Sequence, residues 1–137
     1  MNSEKFPRSP ILIVDDEEDI LQSYKMALRM NNINNFTLCS DPRLVADMLM
    51  QTAYSAMILD LFMPHVSGRE LLDLMREKHP AIPVIVVTGS DSVSTAAECM
   101  KRGAFDYIVK PVEDSRLISG LLKAIESGEL RKGMYPR

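Results

Sequence analysis

The sequence predicts an α/β fold, a doubly wound five-stranded parallel sheet with helices on both faces. Three observations predict it. Short Ile- and Val-rich runs alternate with longer segments of helical periodicity along the chain. Two of the runs, Ile11-Leu12-Ile13-Val14 and the stretch from Ile82 to Val87, are almost continuously apolar, as strands covered on both faces are. The 137 residues, 46% of them hydrophobic, suffice for one domain with its own core.

Ile11 to Val14 is the first strand. Ile20, Leu21, Tyr24 and Leu28 then share one helical stripe, the first helix. Phe36 to Ser40 is a second, weaker strand. Asp41-Pro42 reads as an N-cap followed by proline at the first helical position, and Leu44, Val45, Met48 and Leu49 carry the second helix forward. Ala56 to Leu59 is the third strand and ends at Asp60. Ser67-Gly68-Arg69-Glu70 has capping-box spacing ahead of Leu71, Leu72 and Met75 in the third helix. The fourth strand, Ile82 to Val87, is followed by a helix carrying Val93, Ala96, Ala97 and Met100. Lys101-Arg102 suits the negative end of its dipole, and Gly103 its C′ position. Tyr107 to Val109 is the fifth strand, and Leu117, Leu121, Leu122 and Ile125 mark the fifth helix. After Ser127 the pattern dissolves into Gly128, Lys132, Gly133 and Pro136. Residues 1–8 are therefore expected to be an extension, 9–127 the domain and 128–137 a tail or linker.

Composition narrows the function. Sixteen Lys+Arg against 19 Asp+Glu give a net charge of −3, which does not suggest direct contact with nucleic acid. Cys39 and Cys99 form neither a CxxC pair nor a zinc pattern, and read as small buried residues of a reducing compartment. Met1 to Pro10 has no apolar signal-peptide core, and no apolar run approaches the ~20 residues that span a bilayer. A soluble cytoplasmic protein with no membrane contact is expected.

Ligands of open α/β sheets collect outside the carboxyl ends of the strands. The first strand delivers Asp15 and Asp16 there, the third Asp60, the fourth Thr88-Gly89-Ser90 and the fifth Lys110-Pro111. Like charges at ~4 Å cost about 4 kcal/mol per pair at an effective dielectric near 20, so three carboxylates on one edge call for a cation. Mg²⁺ fits best, since it binds through one or two carboxylates and keeps several waters. Such a site suits phosphoryl transfer. Asp60 would be the nucleophile that forms an acyl phosphate, Lys110 would neutralise phosphoryl oxygens, and Thr88 would donate a hydrogen bond to one of them. Glu17, Glu18 and Asp19 read as charges favourable at a helix N-terminus. His65 and His79 read as loop residues, and most of the ten methionines as core filler on helical apolar stripes.

Four segments, Ile11-Leu12-Ile13-Val14-Asp15-Asp16-Glu17, Asp60-Leu61-Phe62-Met63-Pro64, Val87-Thr88-Gly89 and Phe105-Asp106-Tyr107-Ile108-Val109-Lys110-Pro111, resemble the receiver domains of two-component response regulators. The resemblance runs from about residue 9 to 127 and implies a (βα)5 flavodoxin-like receiver fold. It implies Asp60 as phosphoacceptor, Asp15 and Asp16 as organisers of Mg²⁺, and the Phe62 backbone carbonyl as a further metal ligand. It also implies Thr88 and Lys110 as contacts to the phosphoryl group, a cis Lys110-Pro111 bond, and Tyr107 at the aromatic switch position. The phosphodonor implied is a sensor histidine kinase or histidine phosphotransfer protein. The protein would be no enzyme beyond its own phosphoryl transfer and dephosphorylation. The face formed by the fourth helix, fifth strand and fifth helix would serve a homodimer, an output domain or a partner, in transcription regulation. Met100 to Tyr107 looks most like receivers of activators that carry an ATPase domain, although no GxxxxGK[ST] loop is present.

Other readings fit less well. An aspartate-nucleophile phosphatase wants a second carboxylate two residues after the nucleophile, where Phe62 stands. A flavodoxin-like cofactor site wants a phosphate-cradling loop after the first strand, and Asp15-Asp16-Glu17-Glu18-Asp19 would repel phosphate. The alternative that remains is a degenerate receiver acting as a phosphorylation-independent docking module.

Overall fold

A computed structural model describes the backbone of residues 4–134 and the side chains of residues 4–130. The elements are β1 (Ile11–Val14), α1 (Glu18–Met30), β2 (Phe36–Cys39), a 3-10 turn (Pro42–Leu44), α2 (Val45–Gln51), β3 (Ala56–Asp60), α3 (Gly68–Lys78), β4 (Val84–Thr88), α4 (Val93–Lys101), β5 (Asp106–Val109) and α5 (Asp114–Met134). All strand pairs are parallel and the sheet order is β2-β1-β3-β4-β5. β1, β3 and β4 lie inside, and each of their residues is buried, which is why their sequences show no polar alternation.

The pleat divides these runs between two cores. Ile11, Ile13, Ile58, Ile85 and Val87 point to one face and meet Leu21, Leu28, Leu117 and Leu121 of α1 and α5. Leu12, Val14, Met57, Leu59 and Val86 point to the other and meet Val45, Leu49, Leu72, Met75 and Cys99 of α2, α3 and α4. Both cysteines are buried free thiols. The predicted capping box of α3 is present: Ser67 Oγ accepts from the Glu70 N–H at 3.1 Å, and Glu70 Oε1 accepts from the Ser67 N–H at 3.3 Å. Gly103 follows α4 at φ +100°, a conformation in which a Cβ would be strained.

Five local expectations need correction. Asp41 caps a single 3-10 turn, accepting from the Arg43 N–H; α2 starts only at Val45, and Leu44 faces solvent. β4 begins at Val84 rather than Ile82, because Pro83 lacks an N–H, and it extends through Thr88. Leu122 is exposed on the outer side of α5. The helical stripe expected on α4 does not face the core: Val93 is 84% and Met100 48% exposed, and Cys99 is the buried residue of that helix. Charge holds α4 to α3 instead, through Arg69–Glu98, Glu98–Arg102 and Arg102–Asp73 pairs.

The chain ends also differ. No tail begins at residue 128. α5 continues to Met134, and Gly128 is buried beside Pro83 and the carbonyl oxygens of Ser55 and Ala81, so this glycine marks close packing and not a helix end. At the other end, residues 6–8 are joined to the domain. Phe6 O accepts from the N–H groups of Asn34 and Asn35, and the Asn35 side-chain amide donates to Pro7 O and Arg8 O.

Candidate functional site

The sheet register builds the site. Val14 pairs with Leu59, so the residues that follow, Asp15 and Asp60, leave β1 and β3 side by side. Asp60 pairs with Val87, which sets Thr88 one residue farther out on β4. Thr88 pairs with Val109, and the Lys110 N–H donates to Thr88 O at 2.8 Å, fixing the start of the β5–α5 connection. The Lys110-Pro111 bond is cis, as the resemblance implies.

Asp15, Asp60 and Thr88 are buried polar residues, and Asp16 is half-buried. Asp15 Oδ1 accepts from the Glu17 N–H at 2.9 Å, and Asp15 Oδ2 lies 3.1 Å from Lys110 Nζ. The same ammonium is 3.6 Å from Asp60 Oδ2 and 3.8 Å from Glu17 Oε1. Asp60 Oδ1 accepts weakly from the Phe62 N–H at 3.4 Å. Thr88 Oγ1 accepts from the Ser90 N–H at 3.3 Å, and Ser90 O accepts from the Tyr107 hydroxyl at 2.7 Å. Tyr107 is half-buried against the second core.

One ammonium does not balance this much negative charge. Burial pushes the Asp60 carboxyl up, Asp15 and Asp16 add to the rise, and Lys110 and the Phe62 N–H oppose it. The outcome is about 6, against an ordinary 3.8. Burial by itself would lower Lys110, but Asp15, Asp60 and Glu17 together overcome it and hold the ammonium above its ordinary value. A cation is the natural remedy. One oxygen each of Asp15, Asp16 and Asp60 lie within 4.8 Å of one another, so these three hard donors can hold a metal ion.

Every side chain expected at the site is thus on one edge, with Tyr107 tied to it through Ser90. His65 is exposed in the loop after β3 and His79 caps the end of α3, so neither joins the cluster. Other features escaped the sequence reading. Glu17 reaches toward Lys110 and is not only a helix-end charge. Tyr24, read as part of an apolar stripe, buries a hydroxyl with no hydrogen-bond partner among the described residues. Burial, followed by Asp15, Asp60 and Glu17, raises that phenol's pKa strongly. The guanidinium of Arg69 lies 5.7 Å from the ring centroid of Phe62. Nothing in the spacing of these residues announces such contacts. Gly68 is more legible in hindsight: a Cβ there would come within 2.5 Å of Leu61 Cα, so α3 starts hard against the loop that follows Asp60.

Comparison with known proteins agrees with this geometry. The family model of the response regulator receiver domain matches residues 11–122. A putative NtrX-like response regulator of Rickettsia bellii is 32% identical over 124 residues, covering 89% of this chain and 26% of that protein. The transcriptional regulatory protein FixJ of Bradyrhizobium diazoefficiens is 32% identical, covering 87% of this chain and 58% of that protein. Among solved structures, a response regulator receiver domain protein from Clostridium thermocellum has a TM-score of 0.81 at 31% identity, covering 89% of this chain and 98% of that one. The chain spans about a quarter of the length of the NtrX-like relative. No described helix is long and apolar enough to cross a membrane. The family match takes in the whole sheet and every strand end that carries a polar group of the site, and so the chain belongs to the response regulator receiver domain family.

Proposed function

We propose that Asp60 accepts a phosphoryl group from the phosphohistidine of a sensor histidine kinase or histidine phosphotransfer protein, and that the phosphorylated domain controls an output domain or partner in transcription regulation. One observation carries this reading: β3 ends in a buried carboxylate that shares the Lys110 ammonium with Asp15. Mg²⁺ would be held by Asp15, Asp16, Asp60 and the backbone carbonyl of Phe62. When bound, it supplies charge that relieves the carboxylate repulsion and stabilises the transferring phosphoryl oxygens.

The chain's own groups do the rest. An oxygen of ionised Asp60 bonds to phosphorus while the P–N bond breaks, and its electron pair returns to the donor imidazole. Lys110 Nζ, already 3.6 Å from Asp60 Oδ2, donates to a phosphoryl oxygen. Thr88 Oγ1 accepts from Ser90 and keeps its own hydrogen for another phosphoryl oxygen. If that hydroxyl moves toward the phosphoryl group, Ser90 feels it, and Ser90 O is what the Tyr107 hydroxyl holds. This supports Thr88 and Tyr107 as the switch toward the α4-β5-α5 face, where a homodimer or output domain would bind. Lys101 is exposed on α4, whereas Arg102 is engaged by Asp73 and Glu98. The protein is no enzyme beyond its own phosphoryl transfer and dephosphorylation.

Acetyl phosphate with Mg²⁺ should add one phosphoryl group, traceable by borohydride reduction and mass spectrometry to Asp60. Asp60→Asn should abolish it. Label on His65, His79 or a serine would refute the assignment.

A further inference from the structure

A cleft of about 450 Å³ opens between α1 and the connection from β5 to α5. Ile20 and Tyr24 of α1 form one side of it, and Pro111, Val112 and Leu117 the other. None of Asp15, Asp16 and Asp60 lines the cleft, so it is separate from the acidic trio, although Lys110 belongs to both. Its walls are mostly apolar, and its volume is that of a small-molecule site, where such walls carry a few placed polar groups. Tyr24 is the polar group that stands out. It is 5% exposed, and its hydroxyl has no hydrogen-bond partner among the described residues. Native proteins keep few such groups, because an unpaired buried hydroxyl is costly. Burial, followed by Asp15, Asp60 and Glu17, raises the phenol's pKa strongly, so the hydroxyl keeps its proton and remains a donor. The other polar side chains of the wall are engaged or lie at the rim. Lys110 divides its ammonium among Asp15, Asp60 and Glu17. Ser23 and Asp114 are exposed, and Ser23 Oγ donates to Ile20 O at 2.7 Å, which leaves its lone pairs to accept.

We propose that this cleft binds a small neutral molecule that has an apolar body, an acceptor oxygen for the Tyr24 hydroxyl, and an N–H or O–H for Ser23 or Asp114. The apolar body follows from Ile20, Pro111, Val112 and Leu117. Neutrality follows from the charges around the cleft. An anion would meet Asp114 at the rim and the field of Asp15, Asp60 and Glu17, which already acts on the phenol. A cation would lie beside the Lys110 ammonium. The acceptor oxygen follows from Tyr24, whose hydroxyl is screened from water and gains its partner only from what enters the cleft. Occupancy would touch Lys110, the residue that serves Asp60, but binding itself does not depend on Asp60 being the phosphoacceptor.

The test uses two probes of one shape, para-aminoacetophenone and para-ethylaniline. Both are neutral at neutral pH and carry an N–H donor, and they differ in whether the side arm holds a carbonyl oxygen. Each is titrated into the isotope-labelled full chain and into Tyr24→Phe, with backbone amide NMR as the readout. In the wild type both should give saturable shifts of Ser23, Tyr24, Val112 and Leu117. The acetophenone should bind about three- to tenfold more tightly, the factor that one neutral hydrogen bond supplies. In Tyr24→Phe both probes should still bind, and that preference should vanish. Phenylalanine keeps the ring and deletes only the oxygen, so a role for Tyr24 in packing alone would not move the ratio. Equal affinities in the wild type, or a preference that survives in Tyr24→Phe, would overturn the proposal. So would shifts centred on Asp15, Asp16 and Asp60, or no saturable shift from either probe.

Discussion

Asp60→Asn should stabilise the metal-free domain. The wild-type carboxyl is buried beside Asp15 and Asp16, and its pKa of about 6 stands above the ordinary 3.8 expected in the unfolded chain. At about 1.36 kcal/mol per pH unit, that difference is worth about 3 kcal/mol. The sign follows from proton uptake. Between the two pKa values the native state holds a proton that the unfolded state has released, so stability falls as pH rises through that window. Above about pH 6 the full penalty is present, and below about pH 4 it is absent. Asparagine imitates the protonated carboxyl and removes the penalty. Urea unfolding of both proteins in EDTA should therefore show a gain near about 3 kcal/mol at about pH 8 that shrinks toward zero at about pH 4. Mg²⁺ should narrow or invert the gap, since it binds the wild-type trio better than the variant. Equal stabilities at the higher pH, or a gain that does not vary with pH, would refute the argument from burial and repulsion.

The remaining expectations concern single groups. Titration with Mg²⁺ should shift the NMR resonances of Asp15, Asp16 and Asp60 first, and silence there with shifts elsewhere would remove the metal site. Lys110→Ala should weaken phosphorylation by acetyl phosphate without moving the label from Asp60, as mass spectrometry can report, because Lys110 supplies charge and not the attacking atom. Tyr24→Phe should raise stability in urea by about 1 kcal/mol, since it deletes a buried hydroxyl with no partner; a loss would mean that the hydroxyl is satisfied. Gly68→Ala should cost on the order of 2–4 kcal/mol by the same measure, because its Cβ would meet Leu61 backbone at 2.5 Å.

The strands and the acidic edge were legible because both depend on local rules. A run such as Val84-Ile85-Val86-Val87 can be read as a doubly covered strand from its residues alone, and whatever follows such a strand must emerge at the carboxyl edge. Asp15, Asp60, Thr88 and Lys110 needed no knowledge of side-chain packing. α4 was misjudged because its apolar residues suggested a core-facing stripe, while its actual hold is ionic and reaches across 29 residues from Arg69 to Glu98. Ion pairs between helices leave no periodic trace. The end of α5 was misread for a different reason: glycine can stop a helix or let one pack closely, and at Gly128 the close approach of Pro83, Ser55 and Ala81 distinguishes the two. The Tyr24 hydroxyl was overlooked because a ring on an apolar stripe satisfies the pattern whatever its para substituent does.

The bonds from Asn34 and Asn35 to residues 6–8 bear on how anything joined upstream would be carried. β2 is an edge strand, and its entry at Phe36 lies at the amino edge of the sheet, where Asn35 O also accepts from the Ile11 N–H. A segment attached ahead of Phe6 therefore starts beside this corner, across the thickness of the domain from Asp60. To approach Asp60 it would have to unzip the asparagine clasp or travel round the outside of the sheet. The clasp thus occupies the amino edge of the sheet and leaves the carboxyl edge, where Asp15, Asp60 and Lys110 stand, clear of residues 6–8.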